Sequence, residues 1–439
     1  MNAIASIASK QDEPVFCLLL DLLYSMKHRC GQNKIVILTD KGEAKADSLK
    51  EMQEKSIEGS KGIAFSYSNE SKATILDGAL LNQEELPMPN AENLREFVSK
   101  ANGGYAIALN ETDSFLAFRD FLGLKPIWFG SNPRFNAFAS EPNALKKLNI
   151  TFPEPLPPGH AVQLNEKAIS AQKIFDLNDF LKTVPAKTSF EQLLDSFNES
   201  ISLSTSGLKR AGVLFSGGVD SSAIAKAVSE KVKNVSLYTV GMQGSPDVKE
   251  AEKTSQELGL KLHLRIVEKS ELKDFALAAL KTLCFFDEMQ LTIAVPEFIA
   301  CAEAKKHGEK ILFSGQGSDE LFCGYSSFKQ TLAEKGLKGV ETEIHSMLQQ
   351  MWSRNFYRDE AIASRHFLDL SAPFLERGFL RSALAFPAKE KILSPKDELR
   401  KHPIRKIAQA LGLSSAAYLR QKKAIQYGSG IGKEIVKLF

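Results

Sequence analysis

The sequence predicts a two-domain protein: an α+β domain built on antiparallel sheets, then an α/β domain with a parallel sheet and a helical C-terminal part. Three observations predict this. The chain has 439 residues, more than one typical domain holds. Its first part is a series of short β-like runs separated by turn residues. Its second part alternates strand-like and helix-like segments, the pattern of a parallel sheet covered by helices. A Pro- and Gly-punctuated stretch, FPEPLPPGHAV from Phe152 to Val162, precedes a polar run. These features place a first domain at 1–165, a linker at 166–190 and a second domain at 191–439.

In the first part the strand candidates are KIVILTD, GIAFSYS, GYAIAL, SFLAFRD, PIWFG and FNAFAS. The run PVFCLLLDLLYSM is broken by Asp21 and has no basic segment before it, so it reads as a buried helix rather than a signal peptide. In the second part AGVLF, VSLYTV, LHLRIV and KILFS are strands, with helices between them. One of those helices is expected to start at Pro296, where a proline is tolerated. From about residue 326 the pattern is mostly helical.

Composition excludes several function classes. A net charge of +3 is too small for a charge-driven nucleic-acid binder. No run reaches the ~18 apolar residues of a membrane span. The five cysteines (Cys17, Cys30, Cys284, Cys301, Cys323) are odd in number and lack C-x-x-C spacing, which fits small buried thiols of a reduced, cytoplasmic protein.

The chemistry gathers in two loops. In AGVLFSGGVDSS a strand ends in Ser216-Gly217-Gly218 and a helix begins at Asp220-Ser221. Glycines let the backbone turn and approach an anion, and the new helix N-terminus favours phosphate. Asp220 would repel a bare phosphate, so Mg²⁺ is expected between them. In ILFSGQGSDELFCGY a second strand ends in Ser-Gly, and Asp319 follows. Two strand ends could bring Asp220 and Asp319 to one metal; Asp319 could also serve as a helix N-cap.

The S-G-G-x-D-S string resembles the pyrophosphate loop of the ATP pyrophosphatases. The second loop resembles the SGEGxDExFGGY segment of the asparagine synthetase family. TVGMQGSPDVKEAEKTSQELG, YRDEAIASRHFLDLSAPFLE and RQKKAIQYGSG resemble further segments of that family, in order. The resemblance covers roughly 190–435. It implies an ATP pyrophosphatase domain that uses ATP and Mg²⁺. Ser216, Gly217, Gly218, Asp220 and Ser221 would hold pyrophosphate. Asp220 and Asp319 would be the metal ligands. Leu214, Val240, Ser314 and Gly315 would line the adenosine pocket. Lys422, with Lys423 as the neighbouring alternative, would neutralise the transferring phosphate. Gln316 stands at the position of a catalytic glutamate, where an amide cannot take a proton at neutral pH.

The N-terminal part resembles a class II glutamine amidotransferase domain, an Ntn-type layered β-sandwich, through MNAIASIA, MKHRCGQN and the run from NGGYAIALN to FASEPNAL. Such domains use Cys as residue 2, with its own α-amine as base. Asn2 stands there, so the resemblance implies a kept fold without glutaminase nucleophile. Two further departures lie in the second half: Thr292 and Ser371 stand where relatives carry arginines, and Arg365, His366 or Arg377 are the candidate replacements.

The expected function is therefore ATP-dependent amide formation. A carboxylate, with aspartate leading, is adenylated and then amidated by free ammonia. The alternatives are another carboxylate–amine ligase, such as a β-lactam synthetase-like enzyme, and an ATP-binding pseudoenzyme acting through partners. Expected partners are small molecules; a homodimer and a separate glutaminase subunit are left open.

Overall fold

The computed structural model describes residues 2–30, 33–67, 75–283, 287–419 and 428–438. The chain divides into two compact units, 1–182 and 183–439.

The first unit holds two antiparallel sheets. One has seven strands in the order β10 (Glu154–Pro155), β8 (Trp128–Ser131), β9 (Phe135–Ala139), β1 (Ile4–Ser9), β4 (Lys61–Tyr67), β2 (Lys34–Thr39) and β3 (Gly42–Ala46). The other has five: β12 (Ile169–Lys173), β11 (His160–Leu164), β7 (Phe115–Arg119), β6 (Tyr105–Asn110) and β5 (Ile75–Gly78). Period-two alternation along β1 explains the layering. Ala5 and Ile7 enter a core with Leu19, Leu22 and Leu23 of the helix Phe16–Ser25. Ile4 and Ala8 enter a second core with Ala106, Ala117 and Val162 of the other sheet. On the outer face of that second sheet, Phe97 of the helix Leu94–Lys100 packs edge-on against Tyr105 and Phe118. The layers are thus helix, sheet, sheet, helix, as the layered-sandwich expectation required.

Two features of this unit were not legible. The opening MNAIASIAS supplies a central, fully buried strand. The stretch read as a linker, 166–190, is instead divided between the units. It contains β12, paired with β11, and the helix Leu177–Leu181, which carries a capping box made by Asp176 and Asp179. Its polar composition is that of an edge strand, whose side chains are mostly exposed, and not of an unstructured connection.

The second unit holds one sheet in which every pair is parallel. The order is β15 (Lys261–Ile266), β14 (Asn234–Gly241), β13 (Arg210–Leu214), β16 (Ile311–Phe313) and β17 (Asp369–Ser371). The strand order reverses direction between β13 and β16. In such a sheet a ligand crevice opens at this switch point, beyond the carboxyl ends of the strands. β17 lies within the region expected to be mostly helical; it is three residues long, too short to show a period.

Pro296 does not start a helix. It lies inside the continuous helix Glu288–Lys306, where it cannot donate to the Thr292 carbonyl. Farther on, the long helix Ser327–Met351 passes into a π-helical turn, Trp352–Phe356, and then into the helix Tyr357–Arg365. Among the described cysteines, Cys30, Cys301 and Cys323 are buried, while Cys17 is exposed, against the expectation of burial for all five. Cys284 lies outside the described residues. No helix among the described residues is long and apolar enough to cross a membrane.

Candidate functional site

Both glycine loops leave the strands that flank the switch point. The first runs from β13 to the helix Val219–Ser229. Gly217 has φ of +66°, and a Cβ there would lie 2.8–2.9 Å from backbone atoms of Glu250 and Ala251, so only glycine fits. The loop hydroxyls turn inward on long hydrogen bonds. Gly218 N–H donates to Ser216 Oγ at 3.3 Å, Ser216 N–H to Ser221 Oγ at 3.3 Å, and Ser221 Oγ–H to the Gly218 carbonyl at 3.2 Å. These are longer than well-formed hydrogen bonds.

The second loop runs from β16 to the short helix Ser318–Leu321. Gly317 has φ of +91° and lies against Leu375, which a Cβ would meet at 2.5 Å. Gly315 brings the loops together: a Cβ there would be 3.1 Å from the Asp220 Cβ. Ser318 Oγ–H donates to Asp220 Oδ1.

The loops open into a cavity of about 780 Å³, within the range of small-molecule sites. Of the residues singled out from sequence, Leu214, Ser216, Gly218, Asp220, Ser221, Val240, Ser314, Gly315, Gln316 and Asp319 line it. Gly217 does not; it works behind the loop, against Glu250 and Ala251. Lys422 and Lys423 lie outside the described residues.

One central residue escaped sequence reading. Lys401 Nζ lies 2.6 Å from Asp220 Oδ2 and 2.7 Å from Asp319 Oδ1. Both carboxylates therefore converge on one ammonium group. Burial acts to lower the Lys401 pKa, but Asp220 and Asp319 beside it raise it above its ordinary value. The only sequence signal for Lys401 is one basic residue in SPKDELRKHPIRK, indistinguishable there from a solvated run.

Farther along the cavity a second charged cluster forms. Gln316 Nε2–H donates to Asp359 Oδ2 at 2.5 Å, and Asn355 Nδ2–H donates to Gln316 Oε1 at 3.2 Å. Arg358 lies between Asp359, at 2.5 Å, and Glu297, at 3.5 Å, and donates to Gln290 Oε1 at 2.8 Å. Burial, and then Asp359, push Glu297 well above the usual carboxylate range. Arg354, in the π-helical turn, also lines the cavity. Among the described residues its guanidinium has no hydrogen-bonding or ionic partner.

The expected replacements for the missing arginines do not stand there. Arg365, His366 and Arg377 are outside the cavity lining, and burial lowers the His366 pKa to about 4 beside the Phe298 ring. Thr292 is buried and donates to its own helix at the Met289 carbonyl, and Ser371 accepts the Ser314 N–H through its backbone. Among the described residues, Arg354 and Arg358 are the cations of the cavity wall.

In the first unit, the Asn2 side chain is bonded at both ends. Its Nδ2–H donates to the Leu76 carbonyl at 2.5 Å, and its Oδ1 accepts from Asn33 Nδ2 at 3.0 Å. The Asn2 N–H donates to Asp77 Oδ1 at 2.8 Å, while Asp77 Oδ2 pairs with Arg29 at 2.9 Å. Arg29 also pairs with Glu141 at 2.6 Å, and so does His28. Burial acts to raise the Glu141 pKa, but Arg29 and His28 bring it down to about 2.

Comparison with known proteins gives consistent results. Residues 192–339 match the asparagine synthase family model, and residues 64–147 match the model of a glutamine amidotransferase domain. A Methanocaldococcus jannaschii protein described as "putative" glutamine-hydrolyzing asparagine synthetase 1 is 29% identical over 395 residues, 78% of this chain and 72% of that protein. Glutamine-hydrolyzing asparagine synthetase B of Escherichia coli is 26% identical over 357 residues, 77% of this chain and 62% of that protein. The Rattus norvegicus glutamine-hydrolyzing asparagine synthetase is 26% identical over 390 residues, 81% of this chain and 68% of that protein. The match thus spans from about three fifths to about seven tenths of these relatives' lengths. This chain is a homologue of the asparagine synthetases, carbon–nitrogen ligases, with a glutamine amidotransferase-type domain followed by an asparagine synthase domain.

Proposed function

We propose that the chain is an ATP-dependent carboxylate–nitrogen ligase of the asparagine synthetase type, with aspartate as the carboxylate and free ammonia as the nitrogen source. The observation that carries this reading is the convergence of Asp220 and Asp319 at the switch point of the parallel sheet, in the wall of one cavity. Leu214, Val240, Ser314 and Gly315 seat the adenosine. Ser216, Gly218 and Ser221 exchange their long internal hydrogen bonds for phosphate oxygens, and Gly217 sets the turn. Asp220 and Asp319 fit Mg²⁺, which when bound with ATP offsets charge on the phosphates. Lys422, or its neighbour Lys423, is assigned to the charge that develops as pyrophosphate leaves.

The substrate carboxylate attacks the α-phosphorus, and pyrophosphate departs. Ammonia then attacks the acyl-adenylate, and AMP leaves. Among the described residues of the cavity wall, Arg354 is the cation available to an acidic substrate. Asp359 accepts a hydrogen bond from Gln316 at the position where the family's glutamate stands. Asn2, fixed at both ends, offers neither thiol nor hydroxyl for glutamine hydrolysis, so the first unit supplies no ammonia.

A second reading rests on Gln316, Thr292 and Ser371: the ligase takes another carboxylate or amine. One screen separates the readings. Pyrophosphate release is measured with ATP, ammonia and a panel of amino acids, with Asp220→Ala as the blank. Release with aspartate plus ammonia supports the first reading. Release only with another pair replaces it by the second, and silence across the panel, with ATP still bound, favours a pseudoenzyme.

A further inference from the structure

Lys401 is absent from the cavity wall, yet it touches both carboxylates that form part of it. Only 1% of its side chain is exposed, against 20% of Asp220 and 21% of Asp319. The ammonium therefore lies on the buried side of the pair, away from the cavity.

The backbone that delivers it is strained. Arg400 and Lys401 have φ of 49° and 54°, two successive left-handed residues that carry side chains. This conformation is disfavoured for such residues and persists only where the surroundings enforce it. Here they do. Asp397 Oδ1 accepts the N–H groups of Leu399 and Arg400 at 3.1 and 3.0 Å. Arg405 donates to the carbonyls of Leu399 and Arg400. Arg400 Nε–H donates to the Gly324 carbonyl at 3.2 Å. Gly324 in turn leaves room for the contact, because a Cβ there would lie 1.8 Å from Asp319 Oδ1 and 2.2 Å from Lys401 Cε.

We propose that Lys401 is the resident counter-ion of the Asp220–Asp319 pair: it fixes both carboxylates at the cavity wall from behind and lowers their charge, so that a divalent cation is held there only together with nucleotide phosphates. This rests on the reading of the cavity as an ATP site. Two carboxylates and one ammonium leave a single negative charge. A divalent cation alone would turn this buried cluster positive, and two carboxylates alone give it few ligands; phosphate oxygens supply both the missing charge and the missing ligands. Lys401 is in this sense a positioning residue, acting through Asp220 and Asp319.

The test uses Mn²⁺ as the probe, followed by its electron paramagnetic resonance signal, on the full chain with and without ATP. The unaltered protein is expected to bind Mn²⁺ stoichiometrically with ATP and not without it. Lys401→Met is expected to bind Mn²⁺ without nucleotide at least about tenfold more tightly, and its melting temperature should rise with added Mn²⁺. Lys401→Arg should keep the original pattern. A lysine with a merely structural role would leave nucleotide-free binding unchanged or weaker on removal, and either result overturns the proposal. If Lys401→Met fails to fold, Lys401→Gln is read in the same way, and in the unaltered protein tight Mn²⁺ binding without ATP, or none with it, overturns the assignment. A silent pyrophosphate screen with this Mn²⁺ pattern intact would retire the ligase reading and leave the counter-ion assignment standing.

Discussion

Each unit encloses a cation between two carboxylates, and the two arrangements differ in what their acids face. In the first unit Arg29 lies between Asp77 and Glu141, and the Asp77 side chain is fully buried. The partners of Asp77 are protein groups, Arg29 and the Asn2 N–H. In the second unit Lys401 lies between Asp220 and Asp319, but those acids form part of a cavity wall. Asp220 is likewise bonded at both oxygens, to Ser318 and Lys401, but with Asp319 it borders a cavity, so this cluster can also meet a ligand, whereas Asp77 meets protein groups. The glycine loops make the difference: Gly217, Gly315 and Gly317 let strand ends approach closely while leaving space beyond them.

The comparison is broken most sharply at Asp319. Asp319→Asn removes one of two carboxylates from the open cluster, and we expect ATP-dependent pyrophosphate release to fall by about 10³-fold. Melting temperature should change little, because Lys401 keeps Asp220. Activity retained within tenfold would remove Asp319 from the site.

The closed cluster should respond in the opposite sense. Arg29→Met leaves Asp77 and Glu141 without their guanidinium, and losing one partner of a buried ion pair costs about 3–5 kcal/mol. Denaturant unfolding should show this loss in the first unit, with ATP binding by the second preserved. Acid should reproduce part of it. The Glu141 pKa is depressed to about 2 in the fold. Its contribution is therefore fully present above the unfolded value near 4.5 and is lost as pH falls toward 2. Glu141→Gln should flatten the stability profile across that window.

A smaller effect is expected at the end of the cavity lined by Arg354. Arg354→Ala removes a cation that has no partner among the described residues. The KM for an acidic substrate should rise about tenfold with kcat nearly unchanged, as for loss of one charge-assisted contact. An unchanged KM would move recognition of the acid elsewhere.

The sequence showed the loops clearly because their chemistry is local: a strand, glycines at left-handed positions and an acid within a few residues. The layered first unit was legible through its β-like runs. Lys401 was hidden because its partners are 181 and 82 positions away and no local pattern distinguishes it from a surface lysine. Arg354 was hidden for a different reason, since its aim depends on a π-helical turn that has no periodic signature. The strand β12 was misread as linker because an edge strand with exposed side chains has the composition of a loop. Pro296 was misplaced because the preference of proline for a helix start is a tendency, which the packing of this helix, buried over much of its length, overrides.

The last prediction concerns a change that should do nothing. Asn2→Cys restores the residue type of a class II glutaminase nucleophile, yet glutamate release should stay at background. A thiol there cannot reproduce both Asn2 side-chain bonds, to Leu76 and from Asn33, so the change loosens the strand start without clearing a site. Asp77 and Arg29, which could otherwise grip a zwitterionic amino acid, are already paired with each other. Freeing either one leaves a buried charge alone, which destabilises the unit before it creates a binding site. Glutaminase activity from this single substitution would show that the first unit's charge cluster opens readily, and the contrast between the enclosed Asp77 and the cavity-lining pair Asp220 and Asp319 would have to be abandoned.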